Sequence, residues 1–138
     1  MRIMAVDYGA RAIGVAVTDE LQIIARPLTT IQAKDNAVRR IRELCDEYDA
    51  EVLVIGLPLR LDGGRGDAAR RVEDFVEMLK AEVSIPIVTQ DERLTSRAAD
   101  ELLKEQGMSL RERKNKADEY AAAIILEDYL AAQQRKKS

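Results

Sequence analysis

The sequence has no histidine, no tryptophan and one cysteine among its 138 residues. The lack of histidine excludes Ser-His-Asp triads and imidazole metal ligands. A single cysteine excludes a disulfide framework and a cysteine-based zinc site. Aromatic residues make up only 4%, which argues against the base-stacking surface of an RRM or a cold-shock barrel. Catalytic or metal chemistry is therefore left to carboxylates, lysine, tyrosine and backbone groups.

Long apolar runs are also missing. No stretch approaches the ~18 consecutive apolar residues of a membrane span, and the first residues have no apolar core of a signal peptide. We therefore expect a cytoplasmic protein that does not contact membranes. The net charge of −3 gives no overall signal for nucleic acid, although a local basic face is compatible with it. The length predicts one domain over residues 1–138, with a flexible basic tail at 133–138.

Alternating apolar residues predict strands, and apolar residues at helical spacing predict helices. The predicted strands cover residues 2–7, 13–18, 21–28, 51–55 and 85–89, and the predicted helices cover residues 35–48, 67–83, 96–106 and 116–133. Three opening strands favour an antiparallel meander, whereas strands that alternate with helices favour parallel addition. The predicted fold is therefore an α/β mixed sheet of five strands with helices on both faces. Ligands of such sheets bind at the carboxyl ends of the parallel strands.

Three carboxylates stand at the positions where this fold would bring functional groups together. Asp7 closes the first strand, Glu92 follows the fifth, and Asp118 heads an apolar row on the last helix. Each has a structural alternative: a hairpin cap for Asp7, a surface ion pair for Glu92, and a helix-dipole contact for Asp118. Together they favour a hard cation, Mg²⁺ or Mn²⁺. Two such ions, with Asp7 between them, would support phosphodiester hydrolysis.

Cations flank these acids in the sequence. A glycine-rich loop at residues 57–66 and a basic stretch at residues 109–115, predicted to be mobile, carry several of them. The alternative interpretation is that these side chains are simply solvated. The candidate substrate-binding residues are Arg11, Arg60, Arg65, Arg93, Arg113, Lys114 and Lys116. Cys45 falls on an apolar helix stripe and is predicted to be a core residue.

Four blocks of the sequence resemble the signature of the YqgF, or RuvX, family. They occur in the family's order and span nearly the whole chain. The blocks are Asp7-Tyr8-Gly9 with Arg11 and residues 13–19, Gly56-Leu57-Pro58 with Asp62-Gly63, Asp91-Glu92-Arg93-Leu94-Thr95, and Lys116-Ala117-Asp118 with residues 121–126.

The resemblance implies an RNase H-like fold, as in RuvC-type resolvases, and a metal-dependent nuclease. Family members are described as nucleases that mature the 5′ end of precursor 16S rRNA. The family's acidic positions match Asp7, Glu92 and Asp118, and its hairpin arginine matches Arg11. Arg60 stands where the family commonly has asparagine, and residues 95–96 read Thr-Ser in place of Thr-Thr.

Three other functions stay open at this point. A resolvase of branched DNA would use the same chemistry, and its two symmetric cuts would require a homodimer in place of a monomer. A non-catalytic nucleic-acid-binding module would bind with a steep salt dependence and cleave nothing. An actin-like phosphotransferase is disfavoured, because those enzymes hold nucleotide between two such domains and this chain supplies one.

Overall fold

The fold is a mixed sheet with helices on both of its faces. In a computed structural model of the protein, the structure describes residues 1–60, 62–92, 101 and 103–137. The strands are β1 (Arg2–Asp7), β2 (Ala12–Thr18), β3 (Ala25–Gln32), β4 (Ala50–Leu57) and β5 (Ile87–Asp91), and the long helices are α1 (Ala37–Glu47), α2 (Asp67–Glu82) and α3 (Leu110–Lys137). Within these described residues, no helix has both the length and the apolar character needed to cross a membrane.

The strand order is β3-β2-β1-β4-β5. β1, β2 and β3 pair antiparallel, whereas β4 pairs parallel with β1 and with β5. The predicted topology of three antiparallel strands followed by two parallel ones is confirmed. β1, β4 and β5 therefore end at the same edge of the sheet, and we call this the carboxyl edge.

Two apolar layers form because alternate residues of each strand point to opposite faces. Met4 and Val6 of β1 pack under α1 and α2, while Ile3 and Ala5 pack under α3. Cys45 is buried in the first layer, where burial raises the pKa of its thiol to about 12. Its predicted role as a core residue is confirmed. The layer under α3 is built from small residues, and Ala121, Ala122 and Ala123 are all buried there.

The third strand begins later than predicted. Residues 21–28 read as a strand, but the observed strand is Ala25–Gln32. The reason is turn chemistry: the carboxylate of Asp19 accepts hydrogen bonds from the backbone N–H groups of Ile23 and Ile24 at 2.8 and 2.9 Å. This closes a tight loop and leaves both isoleucines exposed.

The last helix is longer than predicted at both ends. It begins at Leu110 instead of Lys116 and ends at Lys137 instead of Gln133. Ser109 accepts a hydrogen bond from the N–H of Glu112 at 3.2 Å, and its hydroxyl lies 3.0 Å from the Glu112 carboxylate. This capping arrangement starts the helix within a stretch whose charge pattern suggested a mobile loop. The predicted loop at 109–115 is therefore wrong.

The bounds of the remaining elements differ from the predicted ones by a few residues. One predicted helix lies in part outside the residues that the structure describes. β5 covers Ile87–Asp91 instead of residues 85–89. Most of the predicted helix at 96–106 lies outside the described residues. Residues 103–105 are helical, and Gly107 follows with a positive φ of 75°, which fits the predicted helix end at that glycine.

Candidate metal and nucleic-acid site

The carboxyl edge carries Asp7 at the end of β1 and Glu92 at the end of β5, with β4 between the two strands. Asp7 is the last residue of β1, and Glu92 directly follows β5. The backbone N–H of Glu92 donates to the carbonyl of Leu57 at 2.9 Å, which extends the ladder between β4 and β5 by one residue. The side chain of Glu92 is therefore fixed at the edge by backbone pairing.

Asp7 is a half-buried carboxylate without a local partner. Among the described residues, no backbone N–H donates to it and no lysine or arginine lies within 4 Å. Burial, together with the nearby carboxylate of Asp118, raises the pKa of Asp7 to about 7. The hairpin-cap alternative does not describe this side chain, because a cap would supply backbone N–H groups that lower the pKa.

Glu92 is the most enclosed of the three acids. Its residue is only 9% exposed, and its Oε1 atom is buried without a hydrogen-bond partner in the described structure. Burial raises the pKa of Glu92 to about 8, with further contributions from the carboxylates of Asp128, Asp7 and Asp91. A surface ion pair, the alternative for this residue, would leave Glu92 exposed and lower its pKa.

Asp118 reaches the edge because α3 crosses β2 at a glycine. A Cβ atom at Gly14 would lie 1.8 Å from the backbone oxygen of Asp118, so only glycine permits this approach. Gly14 pairs directly with Asp7 across the β1–β2 ladder. Burial raises the pKa of Asp118. Asp118 lies in the third turn of α3, beyond the helix dipole's reach, so the helix-dipole interpretation does not apply.

Gly56 likewise permits a close approach, here of the Ile125 and Glu92 side chains to β4. A Cβ atom there would lie 2.4 Å from Cδ1 of Ile125 and 2.9 Å from Cγ of Glu92. Glu92 thus lies between the end of β4 and the middle of α3, next to the helical turn that carries Asp128. Sequence reasoning missed Asp128. The available signal was its spacing of three residues from Ile125 on a helix predicted to face the sheet.

The donor set fits a hard divalent cation, because it consists of carboxylate oxygens, one of them buried and unpartnered. The carboxylate of Asp118 raises the pKa of Asp7, and the carboxylate of Asp7 raises the pKa of Glu92. Across residues 1–60, 62–92, 101 and 103–137, no group of three acidic side chains is placed to hold a metal ion, so Asp7, Glu92 and Asp118 do not form a three-acid metal site as they stand. Mg²⁺ commonly uses one or two carboxylates and keeps several waters, so a pair suffices to begin a site.

The predicted substrate-binding cations have different surroundings. Arg11 is exposed beside the carboxyl edge. Arg60 and Arg65 lie in the loop after β4, where they pair with Asp62 at 3.5 Å and Glu73 at 2.7 Å. This loop is ordered by backbone hydrogen bonds between Arg60 and residues 63 and 64. Its two arginines are therefore engaged with acids in the structure as it stands.

The other predicted cations lie on or near α3. Lys116 is an exposed residue of that helix. Arg113 and Lys114 belong to the same helix, and their side chains lie outside the description, as does the whole of Arg93. Tyr8, which follows Asp7, packs on Phe75 with ring centroids 4.5 Å apart, so it is a packing residue.

The profile of the family described as "RuvX: Holliday junction resolvase" matches residues 1–132. The chain belongs to the RuvX family. RuvX relatives from Syntrophus aciditrophicus and Roseiflexus are 43% and 42% identical over 139 and 134 residues, and both bear the name "Putative pre-16S rRNA nuclease". The alignments cover 99% and 96% of this chain and 93% and 95% of the relatives.

Solved structures of resolvases share the fold of this RuvX chain. The fowlpox virus resolvase in complex with Holliday junction DNA superposes with a TM-score of 0.59 at 13% identity, over 96% of this chain and 99% of that one. RuvC of Thermus thermophilus with its junction substrate gives 0.54 at 16% identity, over 96% of each chain. The predicted RNase H-like fold is confirmed.

Proposed function

We propose that the chain is a Mg²⁺- or Mn²⁺-dependent endonuclease that cuts phosphodiester bonds during 5′-end maturation of precursor 16S rRNA. The observation that carries the proposal is a set of half-buried or buried carboxylates at the carboxyl edge of an RNase H-like sheet, which have raised pKa values and no ion-pair partner among the described residues. The names of the relatives support the substrate. Such a role also supports a cytoplasmic location.

The proposed site residues are Asp7, Glu92 and Asp118, acting as both metal ligands and catalytic residues. Asp7 is central, because it pairs with Gly14, over which α3 brings Asp118. Bound divalent ions, two in our proposal, would activate the attacking water and stabilise the leaving oxygen. Asp7 and Glu92 hold protons near neutral pH, so binding of a cation would release them.

The proposed substrate contacts begin with Arg11, whose exposed side chain lies beside Asp7's strand end. A guanidinium matches the geometry of a phosphate and holds it through paired hydrogen bonds. Arg60 and Arg65 would have to exchange Asp62 and Glu73 for phosphate oxygens. Arg93, Arg113, Lys114 and Lys116 complete the proposed set on the basis of the sequence.

Branched DNA is the second candidate substrate. The description of the family profile and the shared fold of two junction-bound resolvases favour it. Two symmetric cuts across a junction require two sites related by symmetry, and therefore a dimer. If a protein that stays monomeric at the assay concentration cleaved the junction, the argument for a dimeric junction resolvase would fail.

The proposal is tested by incubating the purified protein with two substrates. One is a precursor 16S rRNA fragment that includes the 5′ cleavage region, and the other is a synthetic four-way junction. Each is incubated with Mn²⁺, with Mg²⁺ and with EDTA. The proposal predicts metal-dependent cleavage of the RNA and none by Asp7→Asn. Preferential cutting of the junction would favour the second candidate, and salt-sensitive binding without any cleavage would favour the non-catalytic module.

A further inference from the structure

Helix α1 carries its charges in an unusual order. Residues 32–42 contain four cations and one anion, and residues 43–51 contain five anions and no cation. The first turn of α1 has no acid and its last turn has no base. The helix dipole favours the reverse order, with each exposed charge worth about 0.3–1 kcal/mol. This order therefore opposes the stability of the helix, and a function explains it better.

The basic half of α1 begins at the carboxyl edge. β3 ends at Gln32, which pairs with Ala12 across the sheet. The N–H of Ala33 then donates to the carbonyl of Arg11 at 2.9 Å. This bond ties the turn before α1 to the hairpin that follows Asp7. Because β3 lies two strands from β1, the turn stands roughly 10 Å from the end of β1.

A cavity of about 340 Å³ lies between these two turns. Exposed Arg11 and Lys34 line it, together with Ala10, Gln32 and Ala33. One concave surface is therefore bordered by two cations. A phosphate group would satisfy both, because it offers several strong acceptor oxygens.

Arg39 and Arg40 follow on the first turns of α1, and both are exposed. Arg39 also lines the neighbouring groove between α1 and α2, together with Arg42 and Met78. In the described part of the chain, no carboxylate oxygen lies within 4 Å of Arg11, Lys34, Arg39 or Arg40. Arg42, one turn further, is by contrast paired with Glu82 at 3.1 Å. Only Asp35 adds a negative charge to the basic half of this segment.

We propose that Arg11, Lys34, Arg39 and Arg40 form a phosphate-binding track, the α1 track, that holds the RNA backbone to one side of the bond being cut. The inference rests on the proposed nuclease function and adds where the flanking strand lies. It assigns Lys34, Arg39 and Arg40 a role in substrate binding. Each phosphate that the track neutralises releases counterions, so the track contributes directly to the salt dependence of binding.

The experiment compares two triple variants with equal loss of charge. The track variant carries Lys34→Gln, Arg39→Gln and Arg40→Gln. The control variant carries Arg26→Gln, Lys80→Gln and Lys136→Gln, three exposed cations near the start of β3 and the ends of α2 and α3. Binding of a labelled RNA hairpin with a single-stranded 5′ flank is measured in EDTA between 50 and 200 mM salt, concentrations over which such contacts respond.

The track variant should bind at least about tenfold more weakly at 0.1 M salt, and its slope of log K against log salt should be shallower by about 2. The control variant should match the wild type. The melting temperature of the track variant should be unchanged or higher, because cations near the N-terminus of α1 are removed. Equal weakening by both triples, or no weakening by the track triple, would overturn the track.

Cleavage of the same RNA in Mn²⁺ separates the two proposals. Wild-type protein that binds through the track but cuts nothing would refute the nuclease and leave the track standing. Wild-type protein that cuts, with a track variant that binds and cuts equally well, would refute the track and leave the nuclease standing.

Discussion

Asp7 and Asp19 occupy equivalent places in the chain and have opposite surroundings. Asp7 ends β1 and Asp19 follows β2. Asp19 is partly exposed to solvent, and the backbone N–H groups of Ile24 and Ile23 lower its pKa. Burial and the carboxylate of Asp118 raise the pKa of Asp7 to about 7. One aspartate stabilises a turn, whereas the other is kept in an environment that disfavours its charge.

The difference separates a candidate functional carboxylate from a structural one. A turn-forming aspartate brings its own donors within a few residues of the chain. A carboxylate held without donors costs stability, and such a cost is common at sites that bind metal or substrate. Among the described residues, Asp7, Glu92 and Asp118 are carboxylates without such donors, whereas Asp19 has them.

The largest expected effect is on cleavage. Asp7→Asn keeps the shape of the side chain and removes its charge, so cleavage of precursor rRNA should fall by more than the ~10–100-fold that loss of a supporting residue around a metal costs. Asp19→Asn is the matched control and should cleave as the wild type does. Retained cleavage by Asp7→Asn in a single-turnover assay would remove Asp7 from the chemistry.

A side chain at position 14 should disrupt the close packing of α3 against β2. A Cβ atom there would meet the backbone of Asp118 at 1.8 Å, so Gly14→Ala should lower the free energy of unfolding by about 1–3 kcal/mol and also reduce cleavage. Gly66→Ala serves as the control, because its Cβ would lie 3.5 Å from the Arg60 side chain, an ordinary contact. Urea denaturation measures both. Equal stability of the two variants would contradict the close approach.

The raised pKa values predict a fall in stability at alkaline pH. Asp7 and Glu92 keep protons in the folded state up to about pH 7 and 8, whereas in the unfolded chain they ionise near 4. Their favourable contribution is complete below the unfolded pKa and is lost as pH rises through the folded values. Without divalent ions, unfolding should cost on the order of 1–3 kcal/mol less at pH 8 than at pH 5.

Asp7→Asn should make that pH dependence less steep, because asparagine does not titrate, and should leave the part that is due to Glu92. Urea denaturation at several pH values, in EDTA, measures both proteins. A wild-type profile that rises between pH 5 and pH 8 would contradict the burial of these carboxyl groups.

The smallest expected effect concerns Asp19. Asp19→Ala removes the acceptor for Ile23 and Ile24 and should lower the melting temperature slightly at neutral pH without changing cleavage. Its lowered pKa means that this contribution is present above the ordinary carboxyl pKa and is lost as pH falls through the folded value. Thermal melts at pH 7 and pH 3 should therefore differ less for Asp19→Ala than for the wild type.

The topology could be predicted from the sequence because the relevant signals are local and agree with one another. β1 and β4 are apolar runs, and α1 and α2 have apolar residues at helical spacing. The errors occurred where a side chain's hydrogen bonds override hydrophobicity. Asp19 turned the largely apolar residues 21–24 into a loop, and Ser109 started a helix in a charged stretch.

The acids of the proposed site could be singled out from the sequence, Asp7 and Glu92 at strand ends and Asp118 on the last helix, but their surroundings could not be predicted. The unpartnered Oε1 of Glu92 and the proximity of Asp128 depend on how α3 crosses β2 and β4. That crossing is set at Gly14 and Gly56, and neither glycine lies near Asp118 or Asp128 in the chain. The pairing of Arg65 with Glu73 was likewise invisible, since it depends on the path of the loop before α2.

The most direct test of the central claim is calorimetric titration of the protein with Mn²⁺ at pH 7 in two buffers of different ionisation enthalpy. Because Asp7 and Glu92 hold protons near that pH, binding should release about one proton or more per chain. The release should shrink in Asp7→Asn and stay unchanged in Asp19→Asn. Absence of Mn²⁺ binding, or proton release that is the same in Asp7→Asn as in the wild type, would contradict the claim that these carboxylates hold the metal.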